Sequence, residues 1–165
     1  MATIARCLRR AVENGQDLEA RQGMLRAAYC AGIAFTRSYV GYVHGIAHSL
    51  GGQYGIAHGL ANAVILPHVL RRYGPACEKK LAHLARVASL ADAKTPDAQA
   101  AEAFIRWIED MNRDFGLPAT FPQIVREDIP RMARHAAQES NPLYPVPLLL
   151  DQQELEPLYL ELMEA

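Results

Sequence analysis

Residues 42–68 read YVHGIAHSLGGQYGIAHGLANAVILPH, and the fold turns on how this stretch is placed. Histidines stand at 44, 48, 58 and 68. His44 and His48 are spaced i,i+4, so on a helix they share one face with Cβ atoms about 6 Å apart. His58 lies fourteen residues past His44. In one unbroken helix that separation is roughly 21 Å, too far for two imidazoles to share a ligand. Gly51, Gly52 and Gly55 offer a way back, because glycine enters backbone conformations closed to other residues. The spacing therefore predicts a helix over 40–50, a return at Gly51-Gly52, and a second helix from His58 to about Tyr73. In that arrangement His44 and His58 meet at one point, and His48 faces the same cavity.

Other readings of the same residues are weaker. Metalloprotease helices share the HxxxH spacing but carry a glutamate beside the first histidine; here the neighbour is Gly45. Ordinary core or surface histidines also produce such pairs. A phosphate-cradling loop needs a strand before the glycines and Lys-Ser/Thr after them, and neither is present. A three-histidine site built from His44, His48 and His58 alone stays open. His68 reads as structural or supporting, and His83 and His135 read as surface or satisfied core residues.

Working outward, the chain reads as helices from end to end. Ile4, Cys7, Leu8 and Val12 mark a first helix over 2–13, broken by Asn14-Gly15. Asp17 is a candidate N-cap for a helix from Leu18 towards Arg37. Beyond Tyr73, helices are predicted from Pro75 to 91, from Pro96 to Phe115, over 127–138 and over 152–163. Pro67 should kink its helix. SNPLYPVP (140–147) reads as an extended, proline-fixed linker. No segment alternates as a strand and no βαβ rhythm appears, so the fold class is all-α, a helical bundle. Length and even composition point to a single domain over 1–165.

Composition narrows the function classes. Seventeen basic and eighteen acidic residues leave a formal net charge of −1, with no basic cluster of the kind that nucleic acids or anionic membranes require. No apolar run approaches the ~20 residues of a membrane span. Cys7, Cys30 and Cys77 fit neither a zinc ribbon nor a redox pair, and read as reduced thiols of a cytoplasmic protein. The arginine-bearing start, MATIARCLRRAV, runs into ordinary globular sequence and is taken as part of the fold.

The stretch GIAFTRSYVGYVHGIAHSLGGQYGIAHGLANAVILPHVLRRYG resembles the signature of the iron-containing (type III) alcohol dehydrogenases. The resemblance extends upstream through DLEARQGMLRAAYCAGIAF and downstream through DIPRMARHAAQESNPLYPVP. It implies the all-helical, dehydroquinate synthase-like C-terminal domain of these enzymes, which holds Fe²⁺ or sometimes Zn²⁺ through one Asp and three His. His44 and His58 match two of those ligands, and His48 matches a histidine in the proton path near nicotinamide and substrate. The implied activity is NAD(P)-linked oxidation of an alcohol or reduction of an aldehyde or ketone. The family's nucleotide-binding domain, its Asp and its remaining ligand His precede the matched region, so the chain is expected to lack them along with its first helix. Ala57 stands where relatives commonly place Pro. Three expectations follow: the isolated chain is inactive; it associates, with itself or with a separate nucleotide-binding chain; or, alternatively, it is a non-catalytic helical oligomerisation module or one half of a split enzyme.

Overall fold

In the computed structural model, residues 1–163 are described. They form eight α-helices and no strand occurs among them, as the all-α reading requires. The helices are α1 (Ala2–Glu13), α2 (Leu18–Ser38), α3 (Tyr42–Tyr54), α4 (His58–Tyr73), α5 (Glu78–Val87), α6 (Asp97–Asp114), α7 (Ile129–Ser140) and α8 (Gln152–Met163). No helix among the described residues is long and apolar enough to cross a membrane.

Two compact units divide the chain: Met1–Ser38 with Cys77–Trp107, and Tyr39–Ala76 with Ile108–Ala165. In the first, α1 and α2 pack together. Gly23 permits the contact, since a Cβ there would sit 2.7 Å from the Cys7 sulfur. Asp17 caps α2 as expected: its Oδ1 accepts the backbone N–H of Ala20 at 3.0 Å, and its Oδ2 accepts Nε of Arg10 at 2.9 Å. Arg86 ties α5 to the start of α6 by donating to the Thr95 carbonyl and the Asp97 carboxylate, at 2.7 and 2.8 Å.

The second unit carries the histidines. α3 packs on α4 and α7, and α7 on α8. Ile46, Leu50, Ile65, Val69, Leu155, Leu158 and Leu162 fill its core. Gly45 lets α3 approach α7 closely, for a Cβ there would meet Ser140 Oγ at 2.6 Å and the Ala136 carbonyl at 3.2 Å. Pro67 lies inside α4 and cannot donate to the carbonyl of Ala63 one turn back. Asn112 takes that acceptor instead, donating Nδ2 to it at 2.7 Å.

Several boundaries differ from the sequence reading. α3 runs through Gly51 and Gly52 and ends only at Gly55, whose φ of 68° is left-handed. The two glycines keep helical geometry because the cap downstream ends the helix. Pro75 does not open α5 but sits in a 3-10 turn, Gly74–Ala76, and the helix is shorter than expected. A second 3-10 turn, Arg126–Asp128, precedes α7, which starts later and reaches Ser140. The proline-rich segment after α7 is turned rather than extended: Tyr144 N–H reaches the Ser140 carbonyl and Val146 N–H the Tyr144 carbonyl, both at 2.8 Å.

Candidate functional site

The N-terminus of α3 is anchored from behind. Tyr42 is fully buried; its hydroxyl accepts the Leu150 N–H at 2.9 Å and lies 2.6 Å from Asn141 Oδ1. His44 follows two residues on, half-buried, and His48 one turn later, with 46% of its side chain exposed. Gly55 then turns the chain, and His58 is the first residue of α4. The ring centres of His44 and His58 are 5.3 Å apart, those of His44 and His48 6.0 Å, and those of His48 and His58 5.2 Å with nearly parallel planes. The structure thus brings together the three histidines singled out in the sequence.

Each ring has its own setting. Burial, then the neighbouring His58 and His48, lower the pKa of His44 below its ordinary 6.5, so the neutral ring with a free lone pair is favoured. Nε2 of His58 lies 2.9 Å from Nδ2 of Asn62, one turn along α4. The amide donates, so the lone pair of that nitrogen is taken up by Asn62. Asn62 Oδ1 is buried and has no partner among the described residues. Nδ1 of His48 lies 2.7 Å from Glu139 Oε1. Next to His44 and Asn62 opens an apolar cleft of about 520 Å³, walled by Val43, Leu66, Tyr73 and Val146.

The donor set can be tested against a metal. Imidazole nitrogens about 2.1 Å from one tetrahedral ion place their ring centres roughly 5 Å apart. The 5.3 Å between His44 and His58 meets that requirement. His44 is biased to the neutral form that metal ligation needs, whereas Nε2 of His58 is engaged by the Asn62 amide. The spacing of the two rings suits a shared divalent cation. Among the described residues, no three His, Cys, Asp or Glu side chains are grouped to hold one.

The remaining histidines stand apart. His68 pairs with Glu161 at 3.2 Å, and His83 and His135 are exposed, in line with their bland reading. Glu139 and Asn62 escaped the sequence reading. Asn62 was within reach of it, being four residues past His58 on one helix. Glu139 is 91 residues from His48, and no local pattern links them.

Comparison with known proteins places this geometry in context. The sequence model for the C-terminal part of the Fe-containing alcohol dehydrogenase family matches residues 1–163. The NAD-dependent methanol dehydrogenase of Bacillus methanolicus is 37% identical over 148 residues, covering 86% of this chain and 39% of that protein. The 1,3-propanediol dehydrogenase of Klebsiella pneumoniae is 41% identical over 140 residues, covering 84% and 36%. A crystal structure of a 1,3-propanediol oxidoreductase superposes with a TM-score of 0.90 at 36% identity, over 97% of this chain and 42% of that one. The chain therefore spans about two fifths of the length of the proteins it resembles.

Proposed function

Because the chain belongs to the Fe-containing alcohol dehydrogenase family, we propose that it is the metal-binding helical part of an alcohol dehydrogenase, with His44 and His58 as two metal ligands and His48 as the proton-handling residue beside them. The observation that carries this reading is the 5.3 Å approach of His44 and His58. The cation is Fe²⁺, or Zn²⁺ in the same place; when bound, it supplies Lewis acidity towards an alcohol or carbonyl oxygen. The activity of the whole enzyme is NAD(P)-linked interconversion of an alcohol and its aldehyde or ketone, with the nicotinamide held by a nucleotide-binding domain. The names of the relatives range from methanol and 1,3-propanediol to long-chain alcohols.

The chain's own contribution is positional. The α3–α4 return presents two imidazoles to one point, and an apolar cleft opens beside His44. His48 stands next to both rings, where a proton can leave for solvent through its exposed edge. Two imidazoles fall short of the three protein ligands usual for a catalytic site. The chain by itself is therefore inactive, and gains activity when the Asp, the third His and the nucleotide-binding domain join it, in one polypeptide or as a separate chain. The family match spans both compact units, which we take as one helical domain. The free cysteines suit a reducing compartment, the cytoplasm.

Metal analysis of the purified chain after loading with Fe²⁺ or Zn²⁺ tests the ligand assignment. His44→Ala and His58→Ala should each retain far less metal than wild type; equal retention in all three would remove it. Robust NAD-dependent turnover of a simple alcohol by the unaccompanied chain would overturn the inactivity.

One observation favours the second reading, a non-catalytic association module. Leu25, Tyr29 and Ile33 follow one another at i,i+4 along α2 and are 73%, 70% and 53% exposed. An apolar face of this kind drives association. Sedimentation should then find dimers or larger species at micromolar concentration, and a clean monomer would count against it.

A further inference from the structure

Glu139 lies in the last turn of α7, beside His48. Its Oε1 is 2.7 Å from Nδ1 of His48 and accepts the Tyr144 hydroxyl at 2.9 Å. A carboxylate only accepts hydrogen bonds, and a neutral imidazole carries a single N–H. In the neutral ring of His48 the proton therefore resides on Nδ1, and Nε2 holds the lone pair. The carboxylate is itself held. Tyr144 is fixed through its backbone N–H on the Ser140 carbonyl at 2.8 Å. Burial first, and then the bond to Glu139, raise its hydroxyl pKa above the usual 10.0, so it stays a donor. Stacking on His58, with 18° between the planes, restrains the ring of His48.

We propose that Glu139 is a positioning residue that sets the tautomer and ring orientation of His48, with Tyr144 holding its carboxylate in place. The proposal rests on the reading in which His48 handles a proton next to the His44–His58 pair. Its functional consequence is that neutral His48 offers an acceptor at Nε2 and sends its N–H to protein. The same carboxylate–imidazole logic orients the base in hydrolytic triads. A stabilising role alone is a poor explanation, since the pair is 46% and 33% exposed and such surface pairs contribute little to stability.

The test is side-chain ¹⁵N–¹H correlation of histidine-labelled protein in mildly alkaline buffer, where imidazoles are neutral. Wild-type His48 should show the Nδ1–H pattern. Glu139→Ala, with unchanged far-UV circular dichroism, should shift the tautomer ratio several-fold towards Nε2–H, and Tyr144→Phe should shift it less. Glu139→Gln keeps an acceptor oxygen and should restore most of the wild-type ratio. An Nε2–H pattern in wild type, or an unchanged ratio in folded Glu139→Ala, overturns the proposal. If Glu139→Ala does not fold, an unchanged ratio in Tyr144→Phe does so. Zn²⁺ added to the same samples follows the resonances of His44 and His58. Their failure to move would count against the metal reading and leave the tautomer result standing.

Discussion

Gly55 donates its backbone N–H to the carbonyl of Gly51 at 3.0 Å while holding φ at 68°. That single left-handed residue ends α3 and sends the chain back so that His58 meets His44. A side chain at such a position costs roughly 1–2 kcal/mol. Gly55→Ala should therefore lower the unfolding free energy by about 1 kcal/mol or more. Gly52 lies inside α3 with nothing within 4 Å of an added Cβ, so Gly52→Ala should raise stability by up to ~1 kcal/mol. Urea denaturation of the two variants checks the contrast; equal signs would refute it.

Close approach, rather than backbone freedom, explains Gly45. A Cβ there would press on Ser140 Oγ at 2.6 Å and on the Ala136 carbonyl at 3.2 Å. Gly45→Ala should cost about 1–3 kcal/mol, the usual range for overpacking. Ser140 Oγ is buried without a partner among the described residues, so Ser140→Ala should be close to neutral. Combined, the two should be less damaging than their sum, because removing the hydroxyl relieves the closer contact. Thermal unfolding of the single and double variants measures this.

Tyr42 locks the start of α3 to the segment before α8. Tyr42→Phe leaves the Leu150 N–H, now accepted by the hydroxyl at 2.9 Å, without that partner in the core. An orphaned buried donor costs about 1–3 kcal/mol. The loss should appear as a lower denaturation midpoint with an unchanged m-value.

Acid should loosen α2 through its cap. The Ala20 N–H first, and then Arg10, hold the Asp17 carboxyl below its ordinary 3.8. A depressed folded-state pKa gives stability that is present above the unfolded value and lost as pH falls through the folded one. The window thus lies below about pH 3.8. Asp17→Asn keeps a capping oxygen but does not titrate, so its stability should fall less steeply than wild type across that window. Parallel pH profiles followed by circular dichroism would contradict the assignment.

Legibility varied with the range of the interaction. The helices from Ala2, Leu18, His58 and Gln152 begin where apolar spacing and capping residues placed them, because these signals act within a turn or two. The end of α3 was misplaced: Gly51-Gly52 permits a turn without demanding one, and Gly55 is the residue that takes it. The segment 140–147 folds back because Ser140 offers its carbonyl to Tyr144, a contact that proline content does not foretell.

By itself, the sequence determined an all-helical chain, the shared face of His44 and His48, and a family signature that marks His58 as their companion. All of this follows from periodicity and short spacings, which constrain a helix directly. Tertiary structure alone decided that Glu139 meets His48 and Tyr144 meets Glu139, that Asn112 takes the carbonyl left free at Pro67, and that Gly45 seats against Ser140. Those partners come from distant elements, and only packing in three dimensions selects which side chain fills an open hydrogen bond or an empty space.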